Sequence, residues 1–108
     1  MSRALGLVVL FAFLTMPIAH ADDLDWPAIT SEQRPGGYWW WMGSAVDEAN
    51  ITKELERYRA AGMGGVHIIP IYGAKGYESR YVEYLSPRWM ALMGHAVSEG
   101  KRLGMWSI

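Results

Sequence analysis

Cysteine is absent from all 108 residues, which excludes disulfides, thiolate zinc sites and the lipid attachment of a bacterial lipoprotein. Histidine is scarce too. Past the first 21 residues only His67 and His95 remain, with no His-x-x-x-His spacing, so a zinc centre lacks ligands and no metal residue is assigned. There is no basic excess: ten Lys and Arg stand against eleven Asp and Glu, for a net charge of −1. Without a basic stripe, phosphate binding has no footing, and nucleic acid is not an expected partner. Phosphate-loop chemistry is excluded as well, because "GMGG" (62–65) precedes an apolar strand instead of following one.

The one long apolar run, "ALGLVVLFAFL" (Ala4 to Leu14), is too short to span a bilayer comfortably. With Arg3 before it, Pro17 after it and "AHA" (Ala19 to Ala21) as a small-x-small cleavage site, residues 1–21 read as a secretory signal peptide cut after Ala21. The expected location is therefore secreted or periplasmic, with no stable membrane anchor after cleavage. The remaining 87 residues carry nine Lys and Arg against eleven Asp and Glu. Such a small exported chain usually relies on disulfides or a metal, and neither is available here.

Residues 22–36 are polar and rich in proline and glycine, a lead-in segment. "YWWWMG" (Tyr38 to Gly43) then reads as a first strand, apolar on both faces as in a parallel sheet. Ile51, Leu55 and Tyr58 recur at helical spacing among Lys53, Glu54, Glu56, Arg57 and Arg59. They predict an amphipathic helix that starts at Ser44, three residues ahead of Asp47, and stops at Gly62. "GVHIIPIYG" (Gly65 to Gly73) is the second strand. A second helix follows, with Ser86 as cap, Pro87 in the first turn, Gly104 after the end, and Trp89, Leu92, Met93, Ala96, Val97 and Leu103 on one face. "MWSI" (Met105 to Ile108) begins a third strand.

The fold class is α/β, with β-α-β-α-β order and crossovers long enough for parallel strands. Three such strands cannot close a barrel, which needs eight strands and roughly 250 residues. Residues 37–108, which stop inside an apolar strand, are therefore expected to be the beginning of something larger. The loop after strand two points to a ligand. About 14 residues separate Ile71 from Ser86, where such loops usually need two to six. Long loops at the carboxyl ends of parallel strands are where these folds hold their ligands, and this one is lined by Tyr72, Tyr77, Arg80, Tyr81 and Tyr84.

Strand parity puts Trp39 and Trp41 on one face and Trp40 on the other; His67, Ile69 and Ile71 form one set and Val66, Ile68 and Pro70 the opposite one. Aromatic rings suit the apolar faces of sugars. The candidate substrate-binding residues are Trp40 or Trp41, then Tyr72, with His67 either a core histidine or a sugar-hydroxyl contact. Asp47, Glu48, Glu54 and Glu56 read as a solvated helix face, and Glu78 and Glu83 as loop residues rather than an acid–base pair. "NIT" (Asn50 to Thr52) matches a glycosylation acceptor but falls in a helical turn, a chance match.

Two stretches, "WWWMGSAVDEANITKELERYRAAGMGGVHIIPIYG" and "YLSPRWMALMGHAVSEGKRLGM", resemble in order and spacing the start of the catalytic module of glycoside hydrolase family 106, the family of bacterial α-L-rhamnosidases. The matching marks are an aromatic strand, an I-T-x-E-L helix, a G-x-G-G-V strand entry, L-S-P-x-W and L-G-M. The resemblance implies that residues 37–108 are the start of a parallel (β/α) TIM-type barrel, incomplete in this chain and cut at its third strand, within an exported enzyme that hydrolyses a terminal deoxysugar with inversion, aided by calcium in the complete enzyme. It places the catalytic glutamates beyond Ile108, so no catalytic residue is assigned here. The expected function is the N-terminal part of a secreted α-L-rhamnosidase, inactive by itself and taking a carbohydrate substrate. The alternatives are a secreted carbohydrate-binding module or a truncated product without a role.

Overall fold

In a strand, alternate residues face opposite sides, so the tryptophan run needs partners on more than one side. The computed structural model describes residues 25–107, and the expected signal segment lies outside them. Three strands, β1 (Gly36–Met42), β2 (Gly65–Ile71) and β3 (Trp106–Ser107), form a parallel sheet in the order β1-β2-β3. Two helices, α1 (Glu48–Ala60) and α2 (Pro87–Arg102), make the crossovers. Strand one pairs with strand two from Gly36 with Gly65 to Met42 with Ile71.

Both helices pack on the same face of this sheet. Ile51 and Leu55 of α1 and Leu92 and Ala96 of α2 form one core with Trp41, Val66, Ile68 and Met105. The first strand, apolar on both faces, is covered by the helices on one face only. Tyr38, Trp40 and Met42 lie exposed on the other, because no described element packs there.

An aromatic chain explains the tryptophan run on the covered side. Tyr58 packs edge-on against Trp39 at 5.6 Å, Trp39 against Trp41 at 5.8 Å and Trp41 against Trp89 at 6.4 Å, all between ring centroids. Edge-to-face pairs at these separations add to the gain from burying the rings. Trp41 is 1% exposed and sits at the centre of this chain.

Helix α1 starts later than its sequence signals suggest. Asp47, not Ser44, is the N-cap, with its carboxylate accepting from the Asn50 backbone N–H at 2.9 Å and from the Asn50 side chain at 2.7 Å. Asp47 satisfies the first free amides, which leaves Ser44 for another role. The predicted stop holds: Gly62 follows the helix with φ +94°, a conformation glycine adopts without a Cβ penalty. Helix α2 begins as expected, with Ser86 Oγ accepting from the Trp89 backbone N–H and Pro87 in the first turn.

Polar ties join the helices. Arg88 grips Glu48 with two bonds of 2.5 and 2.8 Å, and Arg102 joins Glu56 and Glu99, each at 2.7 Å. His95 Nε2 lies 2.9 Å from Thr52 Oγ1 and 3.1 Å from the Glu48 carbonyl. The helix carboxylates are thus a surface face, as their spacing suggested.

At the amino ends of the strands, the Trp106 ring lies across Gly36 and Gly65, where any Cβ would overlap it. Its indole N–H donates to the Ser31 carbonyl at 3.1 Å. The lead-in segment is therefore ordered around Ser31–Gln33, a single 3-10 turn tied to the sheet.

Candidate functional site

The carboxyl ends of β1 and β2 are built by a tight turn. Gly43 and Ser44 are both left-handed, with φ 59° and 50°, and Gly43 N–H donates to the Ile71 carbonyl at 2.9 Å. A serine held there is strained, and its side chain shows what offsets the cost. Ser44 is 3% exposed, and its Oγ accepts the Trp89 indole N–H at 3.0 Å. This bond ties the end of the first strand to the start of α2.

The long loop folds back over these ends through Tyr81. Its ring occupies the space above Gly43 and Gly73 that any side chain there would fill, and its hydroxyl donates to the Ala74 carbonyl. Desolvation, and then the nearby Glu78 carboxylate, hold the Tyr81 phenol above its ordinary value, so it stays a neutral donor. Glu78 itself accepts the Gly76 backbone N–H with both oxygens at 3.0 Å. That bond lowers its acidity range and occupies its charge within the loop.

Two clefts open beside Tyr81. The larger, of about 770 Å³, is lined by Ser44, Ile71, Tyr72, Glu83 and Tyr84. The smaller, of about 320 Å³, is lined by Trp40, Trp41, Met42, Tyr77 and Arg80. The predicted residues are therefore divided. Tyr72, 83% exposed, belongs to the larger cleft, and Trp40, 60% exposed, to the smaller. Trp41 lies in the lining of the smaller cleft, but its ring is held in the core by Trp39 and Trp89, because odd-numbered positions of this strand face the helices. Its indole N–H has no partner among the described residues.

His67 is exposed on the open sheet face. It stands edge-on to Tyr38 at 5.8 Å, in a third cleft toward the amino ends with Trp106. It is not a core histidine among the described residues, and it does not join Trp40 or Tyr72. Sequence reasoning missed Ser44 and Tyr81 as the pair that shapes these clefts. The glycines at 43 and 73, next to a loop rich in tyrosine, were the available signal for Tyr81.

Chemically, the larger cleft offers flat rings and one carboxylate, Glu83. Inverting glycoside hydrolysis requires two carboxyl groups about 6.5–9.5 Å apart, and the described lining holds a single one. Among the described residues no three His, Asp or Glu side chains converge as metal ligands.

Three parallel strands joined by two helices define the class as an α/β unit with an aromatic cleft at the carboxyl ends of its strands. The sequence profile of glycoside hydrolase family 106, described as alpha-L-rhamnosidase, matches residues 28–107, and the chain belongs to that family. A protein of Formosa agariphila named "Putative beta-glucuronidase" is 31% identical over 68 residues, which are 63% of this chain and 6% of that protein. The chain thus spans a small part of this relative's length.

Proposed function

We propose that these residues form the opening β-α-β-α-β portion of a (β/α) barrel in a secreted or periplasmic glycoside hydrolase that removes terminal α-L-rhamnose from glycans or glycosides. The observation that carries this reading is the family match over residues 28–107. The architecture supports it: in a barrel, helices cover one face of the sheet, the other face becomes the interior, and substrate sits at the carboxyl ends of the strands. The exposed Tyr38–Trp40–Met42 row would then be interior lining, and the Tyr72 and Trp40 clefts would lie at the substrate end.

In this reading the acid and base of an inverting two-carboxylate mechanism come from residues beyond the third strand. The present residues hold the sugar: Trp40 and Tyr72 stack on its apolar faces, and His67 contributes a hydroxyl contact deeper on the interior face. Calcium, where the complete enzyme uses it, is bound by other residues.

The test is the native protein carrying this sequence, assayed on an aryl α-L-rhamnoside and followed by the anomer first released. Release of β-rhamnose by the native protein, with none from purified residues 22–108, is the expected result. Sugar binding without hydrolysis by the native protein would replace this reading with a carbohydrate-binding module, which the single carboxylate in the larger cleft favours. Absence of both would overturn it.

A further inference from the structure

We infer that the smaller cleft is a subsite for an anionic sugar residue, one whose carboxylate or sulfate is held by Arg80 while its ring lies on Trp40. This inference rests on the glycosidase reading and specifies which sugars the site accepts beside the cleaved one.

Arg80 stands apart from the arginines of the helices. Arg57, Arg88 and Arg102 each hold a carboxylate, and Arg59 donates to the Leu103 carbonyl at 3.1 Å. The Arg80 side chain has neither kind of partner among the described residues, although carboxylates lie close by along the chain. Glu78, two residues away, is occupied by the Gly76 amide. The Arg80 guanidinium instead lies 5.9 Å from the centre of the Tyr77 ring, a contact that orients the group without neutralising it.

The surroundings suit a charged saccharide. Arg80 is the one charged residue in the lining of the smaller cleft, and Asp47, whose carboxylate is occupied by Asn50, lines an adjoining cleft with it. The Trp40 ring, 60% exposed, supplies a flat apolar surface in the same cleft. A planar guanidinium matches a carboxylate or sulfate with two parallel bonds. A neutral hydroxyl accepts from it too, but gains less than an anion does. Tyr81 stands between this cleft and the larger one, so a bound oligosaccharide can place one sugar in each.

The experiment titrates the intact native protein with three disaccharides, following tryptophan fluorescence. All three carry terminal α-L-rhamnose, linked to glucuronate, to glucose, or to glucose 6-sulfate. The expected result is an affinity about tenfold or more higher for an acidic form than for the glucose form, as a charge-assisted pair provides. The better of the two acidic probes identifies the anion as carboxylate or sulfate. Arg80→Gln should abolish the preference, and Arg80→Lys should keep part of it. Equal affinity for all three forms, or a preference that survives Arg80→Gln, overturns the subsite but leaves the rhamnosidase reading intact. Failure of all three to bind overturns both.

Discussion

Trp40 and Trp41 are neighbours in one strand and share one side-chain chemistry, yet one is 60% exposed and the other 1%. The difference is parity. Trp41 faces α1 and α2 and is locked between Trp39 and Trp89, whereas Trp40 faces the open side with Tyr38 and His67 in adjacent register. The covered face is a jigsaw of aromatic and aliphatic side chains that serves stability. The open face carries the same composition with nothing described against it, and its carboxyl end leads into the clefts. Hydrophobicity alone does not separate the covered face from the open one; the position of the helices does.

The sharpest way to break this comparison is to truncate each ring in turn. Trp41→Ala should lower unfolding free energy by about 3–5 kcal/mol, as large buried aromatics do, measured by urea denaturation. Trp40→Ala should shift stability less than that and instead weaken binding of rhamnosyl disaccharides. If the two variants destabilise equally, the open face is as tightly packed as the covered one in the native protein, and Trp40 loses its role as a platform.

A smaller effect is expected at the joint between the two regions. Ser44→Ala leaves the Trp89 indole N–H without its acceptor at a buried site and should cost about 1–3 kcal/mol. Ser44→Gly also loses the bond but relieves the left-handed backbone, so it should cost about 1 kcal/mol less. Equal costs for the two variants would show that backbone strain at Ser44 is negligible. In both, the clefts beside Tyr81 should widen, read as weaker saccharide binding.

The smallest effect lies on the outer surface of the helices. The Arg88 guanidinium, hydrogen-bonded to Glu48, pulls that carboxyl from about 4.5 down to about 2. A carboxyl depressed in the folded state stabilises above its unfolded value, and that contribution fades as pH falls from about 4.5 toward 2. Both side chains are half exposed, so solvent screens the pair and the gain is small. Thermal midpoints of the native protein and Glu48→Gln should differ near neutral pH and converge toward pH 2. A constant difference across that range would assign the effect to something other than this ion pair.

Much of the framework was legible in the sequence because it depends on short-range chemistry. Ser86 with Pro87 marks the start of α2, Gly62 marks the stop of α1, and continuous apolar runs mark β1 and β2. Ser44 misled because two potential caps lie three residues apart, and the choice depends on Trp89, 45 residues away. For the site, the tyrosine-rich loop was visible from its length. That Trp40 and Tyr72 fall in separate clefts, with His67 in a third, was not, since the fold-back of Tyr81 over Gly43 and Gly73 is a contact between segments distant in the chain.

By itself, the sequence determined the order of strands and helices, the family, the parity that sends Trp40 and Trp41 to opposite faces, and the lack of cysteine in these 108 residues. These follow from periodicity, residue type and motif spacing, which are local properties. Only the tertiary structure decided which face of the sheet the helices cover, that Ser44 serves Trp89 instead of capping α1, and that Arg80 shares a cleft with an exposed ring and has no carboxylate partner among the described residues. Those outcomes depend on which distant groups meet, and packing in three dimensions settles them.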